Sequence, residues 1–515
     1  MILMIASSFT INYVLLVTLT VLIGLLTFVY FSNYFRICYF VLKIRGPRAY
    51  PIIGNGLLFR GSLEEMSKVV FETAIEYGPL TRLWMGPIPL LMTNEPRIIQ
   101  EILTNANALE KAWLMKVMTR TMVGNAIIIS EVPQWKRMRS IITRAFTTSI
   151  LKPYSNIFVD KMDILIEILD KELNKENTFD ISKILSKAAL DSVYASSMGV
   201  NMNVQKGDSR FVDAMHRSCD LMIGRGLNPL KYPETIYRFT QDYKELMQCR
   251  DVVYSLTNKV ISEKRNNYKN GINNNQKDLK AVNTNAFKKP LLDYLIDFTE
   301  NNPDFTDEQL ADEINFITLE AMDTTAKQLS WVLLIMAIHK DEQKKVYDEL
   351  FEVLSNSNPD KIVFDDLSSL KYMEMVIKEA MRLFPVAPLI GRELTKDIHF
   401  ENYTIPKGTN IAIPIFSVHR NEDYWENPLK FDPERFSSEN IKKHHPYAFL
   451  AFSAGPRNCI GMRYAWLFMK IALACLLSRY EFHTSIKDMS DIRYQLELSL
   501  NVIGGHQVRI TPRQK

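Results

Sequence analysis

The chain has 515 residues, 47% hydrophobic and 23% charged, the balance of a globular, core-forming protein rather than a disordered one. Its 62 Lys and Arg against 58 Asp and Glu leave a net charge of only +4, too small a surplus over this length for a dedicated nucleic-acid binder. Five scattered cysteines (Cys38, Cys219, Cys249, Cys459, Cys475) exclude a disulfide scaffold and a clustered zinc site, and no fixed-period repeat points to a solenoid.

No charged side chain occurs before Arg36. Residues 13–31 are almost continuously apolar, and at about 1.5 Å per residue such a helix spans a bilayer core. The basic residues Arg36, Lys43, Arg45, Arg48 and Arg60 follow this run instead of preceding it. That order favours an uncleaved anchor over a signal peptide, with the body on the cytosolic side. No second comparable run occurs, so a single-pass protein is predicted: residues 1–35 an anchor, 36–56 a basic, proline-rich linker, and 57–515 one catalytic domain.

Within the body, residues 79–94 read as strands turning at Gly86-Pro87. Helical periodicity covers 96–105, 133–149, 158–173, 181–199, 240–263, 307–340, 340–355, 367–384 and 459–478. Short β-type stretches lie at 398–416 and near the end, where the chain turns at Gly504-Gly505. The predicted fold class is mainly α with small peripheral β-sheets. Residues 266–285, rich in Asn and poor in apolar side chains, read as a mobile surface loop.

The segment from Phe452 to Gly461, FSAGPRNCIG, carries the strongest chemical signal. It places Cys459 in a glycine-flanked loop just before a helix, where the dipole and free backbone N–H groups favour a thiolate. A buried structural cysteine is the plain alternative. Elsewhere, Glu379 and Arg382 share a helix face, Trp135 and Arg139 stand one turn apart, and an apolar helix carries Glu320, Asp323, Thr324 and Thr325 together. A threonine there can simply bond back to the i−4 carbonyl, whereas burying acids in such a helix is costly without a purpose.

These segments together resemble the cytochrome P-450 superfamily, whose haem-binding signature is matched at Phe452, Gly455, Arg457, Cys459 and Gly461. The resemblance implies the P-450 fold after a single N-terminal transmembrane helix, and haem b with Cys459 as axial iron ligand. By the same resemblance Phe452 lies beside the sulfur, while Trp135, Arg139, Arg392 and Arg457 face the haem propionates. Glu379, Arg382 and Arg435 form a structural network, and Asp323 with Thr324 is the acid–alcohol pair that meters protons. Glu320 resembles the fourth family of the superfamily, in several members of which it esterifies a haem methyl. Ala321 and Met322 depart from that family's usual Gly and His.

The function implied is insertion of one oxygen atom of O2 into a small hydrophobic substrate: a fatty acid, another lipid or a foreign compound. Electrons would come from a separate NADPH-dependent reductase, with cytochrome b5 as a second partner. Lys136, Arg137, Arg144, Lys442, Lys443 and Arg463 are candidates for docking it, and Val386, Leu389 and Ile390 for contacting substrate. The location implied is the endoplasmic reticulum membrane. A haem-thiolate isomerase or dehydratase acting without O2, and a non-catalytic haem- or lipid-binding membrane protein, are the alternatives.

Overall fold

The computed structural model describes residues 2–173, 175–207, 209–274, 289–302, 304–357, 361–400 and 403–513. Its axis is the helix Asp307–Ile338, which starts where the Thr306 hydroxyl accepts from the Gln309 N–H and the Gln309 side chain accepts in return from Thr306 N–H. This capping box satisfies two donors that the first turn leaves free. The helix then runs through the core, packed by Ile181–Val193, Gln241–Asn274, Lys371–Leu383 and Met462–Leu477. A helix buried all round belongs to the centre of a large domain.

Aromatic side chains lock the neighbours in place. Trp331 stacks on Phe384 with centroids 4.2 Å apart, and its indole N–H donates to the Leu500 carbonyl at 3.0 Å. Phe158, on the helix Thr148–Leu169, meets Tyr464 and Phe468 of Met462–Leu477 edge-on at 5.1 and 5.3 Å. Such pairs add about 1 kcal/mol each beyond their burial.

The sheets are small and peripheral, as expected. The largest orders its strands Thr81–Met85, Ile88–Met92, Asn410–Ile413, Ile390–Glu393 and Glu110–Lys111. Only the pairing of Ile88–Met92 with Asn410–Ile413 is parallel. The hairpin predicted at Gly86-Pro87 is present, with Met85 opposite Ile88. Near the end, the strands either side of Gly504-Gly505 join different sheets: Leu500–Val502 pairs with Tyr494–Leu496, and Gln507–Pro512 with Tyr480–His483 and Phe179–Asp180.

Four differences from the sequence reading have physical causes. The N-terminal helix runs from Ile2 to Leu42, so residues 36–42 of the expected linker are helical. Ile37 and Val41 have a core to bury against, and Arg36 forms an ion pair with Asp397 at 2.5 Å. The break predicted between 149 and 158 falls earlier, at Thr147, whose extended backbone caps the helix Thr148–Leu169. The helix Gln241–Asn274 carries residues 266–274 of the Asn-rich stretch, because helix propagates cheaply from the docked turn at Val260 and Ile261; positions 275–285 lie outside the described residues. Finally, the helices Leu63–Glu76, Trp113–Val123, Arg210–Gly226 and Leu291–Glu300 lie outside the predicted set.

Because Val41 is fully buried against the body, Val41→Ala in the full chain is expected to cost about 2 kcal/mol of stability, read as a lowered unfolding midpoint. An unchanged midpoint would mean that the end of the N-terminal helix does not dock.

Candidate active site

The Cys459 loop is built backwards from its glycine. Gly455 adopts φ +70°, and a Cβ there would collide with the Leu103 carbonyl oxygen. Only glycine meets both demands. The loop then closes on itself through the Asn458 N–H to the Gly455 carbonyl at 3.1 Å and the Cys459 N–H to the Phe452 carbonyl at 3.0 Å. The helix Met462–Leu477 follows, and the Phe452 ring lies 6.1 Å from that of Trp466.

Cys459 keeps accessible surface, yet burial pushes its thiol up to about 11, with the Gly461 backbone N–H pulling the other way. A thiol that is both accessible and desolvated borders an internal cleft. The dipole expected to favour a thiolate is outweighed, so the protein alone keeps the proton on sulfur. A coordinating metal cation reverses that balance.

Across the cleft lies the central helix. From Leu310 to Ala337 every residue is buried except Glu320, Ala321 and Thr324. Spaced i, i+1 and i+4, these three share one face. Burial raises the Glu320 carboxyl to about 7, with the Asp323 charge adding to the effect, and the Cys459 thiol senses Glu320 in turn. The Thr324 hydroxyl donates to the Glu320 carbonyl at 2.6 Å, the back-bond anticipated as the plain reading of this threonine. Asp323 turns elsewhere. It pairs with Lys327 at 2.8 Å, and the Ser499 hydroxyl donates to its second oxygen at 2.9 Å. Burial opposes ionisation, but Lys327 outweighs it and holds Asp323 below its ordinary range.

The cations expected near the cysteine make these contacts within the chain. Arg457 donates to the carbonyls of Leu109, Ile127 and Ser130 at 2.9–3.0 Å and lies 4.3 Å over the Trp135 ring. It thus stitches the 109–130 segment to the cysteine loop. Arg139 grips Asn458 through its carbonyl and side-chain oxygen at 2.6 and 2.5 Å, holding the residue next to Cys459. Arg392 is buried, and its guanidinium donates to the adjacent Gly391 carbonyl at 2.9 Å.

Lys111 was not predicted. Its strand pairs with that of Arg392, Lys111 opposite Arg392, and burial first, then Arg392 and Arg457, hold its pKa well below the ordinary lysine range. Among the described residues no ion pair joins Lys111, Arg139, Arg392 or Arg457 to a carboxylate. Such cations, Arg392 and Arg457 buried and Lys111 and Arg139 half-buried, beside a lone accessible cysteine suit a dianionic group with a metal at its centre.

The supporting network is fully formed. Arg382 donates twice to Glu379 at 2.7 and 2.8 Å, and once each to the carbonyls of His419, Pro428 and Lys430. Arg435 stands 3.4 Å from the same carboxylate, which also accepts from the Asp432 N–H at 2.9 Å. His419 extends the network toward the cysteine loop, accepting from the Leu450 N–H at 2.7 Å.

A thiol on a cleft, unneutralised cations and an acid–alcohol helix define a haem-thiolate protein. The family model for cytochrome P450 matches residues 44–508. Over 93% of this chain and 95% of its own length, cytochrome P450 4c21 of Blattella germanica is 32% identical. Human cytochrome P450 4V2 is 31% identical over 85% and 84%, and cytochrome P450 4g1 of Drosophila melanogaster 29% over 96% and 94%. The chain belongs to the cytochrome P450 family and resembles its fourth subdivision: it is a monooxygenase with a haem-thiolate cofactor.

Because Glu379 and Arg382 have no exposed surface, Glu379→Ala leaves two guanidinium groups facing an empty site. The expected cost is about 3–5 kcal/mol, measured by denaturant unfolding. A loss below about 1 kcal/mol would show that the network is dispensable.

Proposed function

We propose that this protein is a single-pass membrane monooxygenase of the endoplasmic reticulum that hydroxylates long-chain fatty acids or related lipids. The observation that carries the reading is the single open face of the central helix, where Glu320, Ala321 and Thr324 front the cleft that holds Cys459. Names in the fourth subdivision among the relatives support the lipid class. The helix Tyr13–Leu42, apolar and without buried surface over its spanning window, supports the anchor.

Haem, when bound, supplies the activation of dioxygen and the site of electron entry. The chain supplies the rest. Cys459 Sγ is the iron ligand, Phe452 shields it, and Arg139 fixes its loop through Asn458. Lys111 and Arg392 neutralise the propionates, and Arg457 with Trp135 braces the segment behind them. Thr324, its hydroxyl proton committed to the Glu320 carbonyl, offers its oxygen as an oriented acceptor facing the cleft. Asp323 holds and releases a proton at its carboxylate. Val386, tied through its N–H to Gln328 at 3.1 Å, and through its carbonyl to the Leu500 N–H at 2.9 Å, sits where substrate passes the central helix.

Electrons reach the site from a membrane-bound NADPH-dependent reductase, with cytochrome b5 as a second donor. Lys136, Arg137, Arg144, Lys442, Lys443 and Arg463 are all exposed and available to an acidic partner. Glu320, whose carboxyl burial raises to about 7, would be the residue to carry a covalent link to the haem.

Membranes carrying this chain, a reductase and NADPH are expected to convert a chain-length series of fatty acids to terminal hydroxy acids bearing label from isotopic dioxygen. Label in no product would reject the lipid reading. Thr324→Ala is expected to raise peroxide released per NADPH several-fold, and unchanged coupling would remove Thr324 from the proton route. Acid–organic extraction is expected to leave haem on the unaltered chain and free it from Glu320→Ala. Complete extraction from both would exclude the ester.

A further inference from the structure

Asp323 is clasped from two sides. Lys327 Nζ, besides its contact with Asp323 Oδ1, donates to the Ser499 hydroxyl at 2.6 Å, and that hydroxyl donates to Oδ2, closing a ring of three polar groups. A fourth group approaches from another element. His216, on the helix Arg210–Gly226, places Nε2 3.9 Å from Asp323 Oδ1. Among the described residues that nitrogen is buried without a hydrogen-bond partner, and Oδ1 has only the Lys327 ammonium beside it. Yet 35% of the His216 side chain is exposed, against 6% for that of Asp323. The imidazole is therefore open on one side and faces a buried carboxylate on the other.

We propose that His216 is the relay through which protons from solvent reach Asp323, and that Lys327 with Ser499 holds the carboxylate in position to receive them. The proposal rests on the reading of Asp323 as the proton-metering acid. A side-chain rotation closing the gap by about 1 Å brings Nε2 into hydrogen-bond range. A solvent hydronium then adds its proton at Nδ1, leaving water, as the Nε2–H bond breaks and the Oδ1–H bond forms. The ring stays neutral overall, the carboxylate becomes a carboxylic acid, no electron moves, and rotation of the ring restores the starting tautomer.

Lys327 cannot serve as the relay. Burial works against its charge, but the Asp323 carboxylate outweighs that and raises its pKa, so it stays protonated as a positioning residue. Burial lowers the His216 pKa while Asp323 pulls it back up, which keeps the ring neutral at physiological pH as the relay requires. The other charged and titratable groups around the cluster include Asp213, Cys219 and Asp220 from the helix of His216, Glu320 from the central helix, Glu497 beside Ser499, and His506, which senses Lys327.

The test uses the full chain in lipid nanodiscs with reductase, and compares His216→Gln, Lys327→Met and Asp323→Asn. His216→Gln is expected to cut product per NADPH at least about tenfold, raise peroxide and enlarge the solvent deuterium isotope effect, with substrate KM and unfolding midpoint unmoved. Independently of turnover, the His216 ring-carbon NMR titration in the ferrous carbon monoxide complex should shift to lower pH in Asp323→Asn and to higher pH in Lys327→Met. A titration unmoved by Asp323→Asn overturns the contact, whether or not His216→Gln folds. Coupling retained in His216→Gln but lost in Asp323→Asn overturns the relay and leaves the acid in place. Coupling retained in both removes the acid as well.

Discussion

Desolvation around Cys459 governs this structure. A thiol pushed up to about 11 and a lysine held well below its ordinary range share one interior with Arg139, Arg392 and Arg457, and among the described residues no carboxylate neutralises these cations. Protein interiors do not hold such groups without compensation, because burying charge without a partner costs several kcal/mol. A haem-thiolate cofactor would resolve the conflict at both ends: Cys459 would hold its iron, and the cations would meet its carboxylates. Gly455, the Glu379–Arg382–Arg435 network and the buried central helix are then the scaffold that keeps the unfavourable arrangement together.

Charge on the opposite wall is handled differently. The Asp323 carboxylate is stabilised within the chain by Lys327 and Ser499, whereas Glu320, three residues earlier, has no such ion pair among the described residues, and burial raises its carboxyl to about 7. Two acids on one helix are thus pushed apart in proton affinity by their surroundings. Such a split in proton affinity between neighbouring acids is the arrangement by which one helix gives two carboxyl groups different duties.

Much of this was legible in the sequence because it is local. The Phe452–Gly461 loop, the Asp323–Thr324 pair and the Glu379–Arg382 spacing each lie within one turn or one element, where residue type and spacing state the chemistry. The Gly86-Pro87 hairpin followed for the same reason. What stayed hidden depends on long-range pairing. Lys111 becomes part of the site only because its two-residue strand pairs with Arg392, and Ser499 and His216 reach Asp323 from distant elements. The carbonyl partners of Arg457 come from a segment more than 300 residues earlier in the chain. Ile37 and Val41 read as part of a linker because nothing near them in sequence reveals the core they bury against.

The central claim, that Cys459 is the thiolate ligand for which this desolvated site is built, is tested most directly by the absorption spectrum of the reduced carbon monoxide complex. The unaltered chain should give the long-wavelength Soret band of thiolate ligation, and Cys459→His the shorter-wavelength band of nitrogen ligation. A long-wavelength band that persists in Cys459→His would contradict the account.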